Sequence, residues 1–155
     1  MGMSNERMTI PDGITAEYAR TELLFYLSFD AVNRAPDLIH FCSDVLLHYA
    51  KYPFVTDTFL GSGNLEPVCV IGPGQVRFHR DDSIGGLLFH PTPDSLPEFD
   101  LPKRLQLAGD PVRFLMLVPL THQETSFARM AGVGNLLEQC PDIPGIYAGP
   151  RASRI

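Results

Sequence analysis

His122 and Glu124 form an H-x-E pair, the arrangement that opens the zinc-site signature of nucleobase deaminases. That signature is completed by a P-C-x-x-C motif, whereas Cys140 is followed by one proline and no second cysteine. Thr121 and Glu124 also match a capping box, in which each side chain binds the other residue's backbone amide at the start of a helix. The cap explains Glu124 without a metal. A ligand-binding or metal-dependent site built from His122, Glu124 and a third group such as His90 is the alternative hypothesis.

The other candidates for chemistry lack the spacing that their chemistry requires. The Gly-Ser-Gly at 61–63 is not the G-x-S-x-G of a nucleophile elbow. The Gly-Pro-Gly at 72–74 lacks the later glycine of a dinucleotide loop. The three cysteines are far apart, at positions 42, 69 and 140, and no pair has zinc-site spacing. We therefore predict a protein that is not an enzyme and that needs no metal and no cofactor.

The segment just before His122 predicts the element that the rest of the domain surrounds. Seven of the nine residues from 112 to 120 are apolar, which is typical of a strand buried on both faces at the centre of a sheet. Thr121 then marks the start of a helix that runs to about Met130. A second short helix is predicted over 135–139.

The remaining pattern predicts short strands and one long helix. Alternating apolar residues favour a strand over 21–29. Residues 33–37 open a helix that we expect to end near Lys51, because Pro53 cannot continue it. Further strands are predicted over 54–60, 67–71, 84–90 and, at an edge, 103–107. The order predicts an α+β fold: a single domain with a mixed or antiparallel sheet flanked by helices.

Composition limits the partners. The net charge is −6 and the twelve Lys and Arg residues are scattered, which argues against nucleic acid and against an anionic membrane surface. Three cysteines without a pairing pattern favour reduced thiols in the cytoplasm. We expect residues 1–20 to be a loosely ordered lead-in, 21–151 the folded domain and 152–155 a tail. A homodimer through exposed sheet edges is left open.

Six motifs in the same order resemble those of the suppressor of fused domain family. They are Arg-Thr-Glu-Leu-Leu-Phe-Tyr-Leu at 20–27, Val-Leu-Leu-His-Tyr-Ala-Lys-Tyr at 45–52, Thr-Phe-Leu-Gly-Ser-Gly-Asn at 58–64, Leu-Leu-Phe-His-Pro at 87–91, the segment 112–124, and 132–141 followed by Arg151. The resemblance covers about residues 21–151. It implies a non-enzymatic protein-binding module that holds its partner as an extended strand, and bacterial members are proposed as immunity proteins against toxins.

The resemblance also implies a binding surface. The family's partner-contacting aromatic at the helix end matches Tyr52, and its acidic contact after Ser-Gly matches Asn64, where an amide replaces the carboxylate. Phe54 and Phe59 lie beside these positions, although aromatic residues of this kind are more often part of a core. We predict Tyr52, Phe54 and Asn64 as protein-binding residues. The partner is expected to be an extended peptide or a toxin domain, bound by a stand-alone bacterial protein.

Overall fold

The computed structural model of the chain describes residues 3–14, 16–27, 33, 37–67, 84–92, 105–143 and 153–155. Within these ranges the chain forms five strands and three α-helices. The strands are β1 (Arg20–Leu24), β2 (Leu65–Pro67), β3 (Ile84–Pro91), β4 (Gln106–Leu107) and β5 (Asp110–Thr121). The helices are α1 (Asp37–Thr56), α2 (His122–Ala131) and α3 (Val133–Gln139).

Strand β5 is the centre of the sheet, as its apolar sequence predicts. It pairs in parallel with β1 on one side and antiparallel with β3 on the other, and β2 follows β3 in the order β1-β5-β3-β2. The short β4 forms a hairpin with the start of β5. Residues 115–121 of β5 are all buried. The prediction of an α+β domain with a mixed sheet flanked by helices is confirmed.

The two faces of the sheet carry separate halves of the core, because successive side chains of a strand point to opposite faces. Leu115 and Leu117 of β5 face α1 and pack with Val45 and Tyr49 of that helix. Met116 and Val118 face α2 and α3; the residues of those helices that join this half of the core are Ala128 and Leu136. Alternate side chains of β5 therefore face α1 on one side of the sheet and α2 with α3 on the other.

Helix α1 does not end at Lys51, and the strand predicted over 54–60 is wrong. Pro53 lies inside the helix, where its missing N–H costs the hydrogen bond to the carbonyl of Tyr49. Pro53 is buried, and the helix continues for three residues beyond it. It ends where Asp57 takes a positive φ of 49° and the amide of Thr58 donates to the carbonyl of Pro53 at 3.1 Å. The bond from Thr58 to Pro53 is the six-to-one bond of a Schellman cap.

Strand β1 is shorter than predicted. It covers Arg20–Leu24, and residues 25–27 continue outside the sheet. Phe25 nevertheless packs against the α1 half of the core and Tyr26 against the other half. The predicted strand over 67–71 falls mostly outside the described residues, as do residues 28–29, 103–104 and Arg151. Helix α3 begins two residues earlier than predicted.

Residues before β1 also contribute to the core. Met3 and Met8 are buried in its α1 half. The Arg20 guanidinium donates to the carbonyls of Ser4 at 2.9 Å and Asn5 at 3.1 Å, and its Nε donates to Asp110 at 3.0 Å. The domain boundary at residue 21 remains a prediction. No helix in the described ranges combines the length and the apolar character needed to cross a membrane.

Candidate functional site

The H-x-E segment forms the predicted capping box. The hydroxyl of Thr121 accepts from the backbone N–H of Glu124 at 3.3 Å, and Oε2 of Glu124 accepts from the N–H of Thr121 at 2.9 Å. The second carboxylate oxygen, Oε1, accepts from the backbone N–H of Arg154 at 2.8 Å. Glu124 is fully buried. Each oxygen of its carboxylate therefore accepts from a backbone amide, one at the start of α2 and one at Arg154.

The three groups of the alternative hypothesis do not converge. His122 contacts Gly85 on β3, and His90 lies five residues further along the same strand, which is about 17 Å at the rise of a strand. The ring of His90 is hydrogen-bonded to the carbonyl of Pro91 at 2.6 Å. In the described part of the chain, no three His, Cys, Asp or Glu side chains lie close enough to share a metal ion. The geometry gives a ligand or metal site at His122 and Glu124 no support.

A chain of ring contacts leads from the core to the surface at the end of α1. Phe89 of β3 is fully buried and meets Tyr49 edge-on, with ring centroids 5.4 Å apart. Tyr49 in turn meets Tyr52 at 6.0 Å and His48 at 5.0 Å, and Tyr52 lies 6.2 Å from His48. We call these four residues the aromatic ladder. It holds Tyr52 in place, because edge-on ring pairs contribute about 0.5–1.5 kcal/mol each beyond burial.

A carboxylate lies beside the ladder. Burial raises the pKa of the Tyr49 hydroxyl to about 12, and the negative charge of Glu66 on β2 adds to the shift, as does that of Tyr52. Burial likewise raises the pKa of Glu66, while the positive charge of Arg129 partly offsets that effect. Among the described residues, none forms an ion pair with Glu66. The surface around Tyr52 thus combines aromatic rings with an acidic group.

Asn64 holds the loop that leads into β2. Its side-chain oxygen accepts from the N–H of Gly61 at 3.1 Å, and its side-chain nitrogen donates to the carbonyl of Phe59 at 3.4 Å. Its own carbonyl accepts from the N–H of Phe89 at 2.9 Å. The loop is therefore tied to the inner end of the aromatic ladder. Whether Asn64 also contacts a partner stays a prediction.

The structure relates the three predicted binding residues through the core. Tyr52 and Phe54 are both half-buried and both pack against the α1 half of the core. Asn64 is connected to Tyr52 through Phe89 and Tyr49 of the aromatic ladder. The sequence did not single out Glu66, since only the pairing of Glu66 with Leu87 places it on the α1 side of the sheet. Nothing in the sequence near position 66 indicates that pairing.

Comparisons with solved structures and with family models each gave a match. A solved structure described as the Sufu–Fu complex is 12% identical to this chain and superimposes with a TM-score of 0.49. The match covers 94% of this chain and 69% of the chain in that structure. No curated protein sequence matches the chain. The family model for the suppressor of fused protein matches residues 1–146. The chain therefore belongs to the suppressor of fused family.

Proposed function

We propose that this chain is a protein-binding domain and that its partner contacts the surface made by Tyr52, Phe54 and Asn64. Family membership supports the general class, a non-enzymatic protein–protein interaction module. The observation that carries the choice of surface is the aromatic ladder, which fixes a half-buried tyrosine against the core while leaving part of it accessible. Aromatic residues held in this way are common anchors of protein interfaces, because little side-chain entropy is lost on binding.

The neighbourhood of Tyr52 supports a contact surface of mixed character. Val55 and Leu47 on α1 are exposed at 80% and 59% of their surface, and Lys51 is exposed between them. Glu66 supplies a carboxylate beside the ladder. A patch that combines accessible apolar groups with a few polar ones is typical of protein interfaces. The partner is an extended peptide or a folded domain such as a toxin.

Affinity capture with matched variants tests this surface. The wild-type chain, Tyr52→Ala and Met130→Ala are immobilised and exposed to extract of the source cell. Met130 is 83% exposed and lies on α2, on the opposite face of the sheet, so it is the control. We expect one protein that is retained by the wild-type chain and by Met130→Ala and is lost with Tyr52→Ala. Equal retention by all three chains would place the interface elsewhere.

The finer proposal is that this is a bacterial immunity protein, acting in the cytoplasm by binding and neutralising a toxin. It rests on membership of the suppressor of fused family, whose bacterial members are proposed as immunity proteins. Co-expression tests it: the captured partner alone should stop growth of a host cell, and the wild-type chain, but not Tyr52→Ala, should restore it. A partner that is harmless alone would overturn the immunity role and leave the binding surface intact.

A further inference from the structure

Arg154 is held at three points by the corner where α2 begins and α3 ends. Its backbone N–H donates to Oε1 of Glu124 at 2.8 Å, and its carbonyl accepts from Sγ of Cys140 at 3.6 Å. Its guanidinium lies 3.2 Å from Oδ2 of Asp142. One residue thus has both of its backbone groups bound by side chains. In an unstructured segment, water would satisfy these groups.

The two groups that bind the backbone of Arg154 belong to the start of α2 and the end of α3. Glu124 is fully buried and oriented by the capping box with Thr121. Cys140 is 5% exposed, and its backbone N–H donates to the carbonyl of Leu136 at 2.9 Å, which holds its main chain at the end of α3. We call Glu124 and Cys140 the backbone socket. Neither group of the socket therefore lies in the segment that it binds.

Recognition in the socket depends on the backbone more than on the arginine side chain. The ion pair between Arg154 and Asp142 is about half exposed on both sides, and exposed pairs contribute little in water. The hydrogen bond from the N–H of Arg154 is part-buried and charge-assisted, because its acceptor is the fully buried carboxylate of Glu124. Binding of both the N–H and the C=O of one residue is also how a sheet edge recognises an extended peptide.

We propose that the backbone socket is a binding site for an extended peptide segment, and that residues 153–155 of this chain are its occupant, which keeps the site closed to other segments. The inference does not depend on the proposed function, because the aromatic ladder lies on the other face of the sheet. The occupant is identified by the structure itself, since Arg154 is the residue bound in the socket.

Hydrogen exchange in the full chain tests whether the socket is occupied in solution. We expect the amide of residue 154 to exchange at least tenfold more slowly than an unstructured amide in the wild-type chain and in Arg154→Ala, which keeps the N–H. Arg154→Pro removes the N–H that donates to Glu124, so residues 153–155 should leave the socket. We then expect faster hydrogen exchange at the amide of Ile155 and faster proteolysis of this segment. Exchange of the wild-type amide at the unstructured rate would overturn the proposal without any variant.

A peptide added in trans tests whether the socket is a site. The probe is a fluorescent peptide of residues 148–155, Ala-Gly-Pro-Arg-Ala-Ser-Arg-Ile. We expect it to bind the full chain carrying Arg154→Pro at least tenfold more tightly than the wild-type chain, whose socket is already filled. The same peptide with an N-methyl group on the arginine that corresponds to Arg154 lacks the N–H donor. It should bind the Arg154→Pro chain no more tightly than the wild-type chain. Equal affinity for both chains, or indifference to the N-methyl group, would overturn the proposal.

Discussion

A β-carbon placed on Gly85 would lie 2.7 Å from both Cα and ring Nδ1 of His122. Strand β3 and the first turn of α2 are therefore in contact at a position that only glycine fits. The neighbouring Gly86 is similar, because a β-carbon there would lie 2.9 Å from Oγ1 of Thr125. A register irregularity between Ile84 and Gly86 accompanies this close approach. The two glycines allow α2 to begin directly against the sheet.

Gly85→Ala should therefore destabilise the fold. The added methyl group meets backbone at His122, which cannot move without shifting the start of α2. We expect a loss of about 1–3 kcal/mol in the free energy of unfolding, measured by urea denaturation.

Gly134→Ala is the matched control, since a β-carbon on Gly134 in α3 meets nothing within 4 Å. There we expect a gain of about 0.5–1 kcal/mol, because alanine favours the helix and restricts the unfolded chain. Similar effects of the two substitutions would contradict the close packing at Gly85.

The capping box gives a second prediction about stability. Thr121→Ala removes the acceptor for the N–H of Glu124 and should lower the free energy of unfolding by about 1 kcal/mol. Thr121→Ser keeps the hydroxyl and should cost less. The comparison is made by thermal and urea unfolding of both variants. If serine and alanine cost the same, the hydroxyl at residue 121 contributes nothing as a cap.

Local patterns predicted the parts of this structure that depend on neighbours in sequence. The apolar run of β5 and the three-residue spacing from Thr121 to Glu124 were sufficient for the central strand and for the start of α2. The same rules failed at Pro53, which is buried inside a helix that continues to Thr56 and is followed by Asp57 at positive φ. Propensity yields to packing when a residue of low helix preference is needed in the core.

Contacts between distant segments were beyond the reach of the sequence. Glu124 meets Arg154 across thirty positions, and the pattern predicted only its partner three residues away. Glu66 comes close to Tyr49 because β2 and β3 pair in one register; a shift by one residue would turn its side chain to the other face. Such relationships follow from the assembled sheet. For the same reason the sequence predicted Tyr52 as a binding residue but did not predict the carboxylate of Glu66 near the aromatic ladder.

Asn64 offers a test that separates its role in the loop from a role in binding. Asn64→Ala removes both side-chain hydrogen bonds and should lower the free energy of unfolding by about 1–2 kcal/mol. Asn64→Asp can still accept from Gly61 but cannot donate to the carbonyl of Phe59, so we expect a smaller loss. If Asn64 contacts the partner, the aspartate variant, which restores the carboxylate of the family pattern, should change partner affinity by more than its effect on stability explains.

The free energy of unfolding should depend on pH through Glu66. The pKa of this carboxyl is raised in the folded state, so the folded protein binds the proton more tightly than the unfolded chain does. The contribution of Glu66 to stability is therefore complete below its unfolded pKa, at about pH 4, and is lost as the pH rises through the folded value. Glu66→Gln removes the charge, and we expect this variant to be more stable than the wild-type chain at neutral pH and equal to it near pH 4. Urea unfolding at both pH values measures the difference, with the exposed Glu138→Gln on α3 as the charge-matched control. A stability gain at neutral pH that persists unchanged in acid, or that Glu138→Gln reproduces, would mean that burial of the Glu66 charge is not its cause.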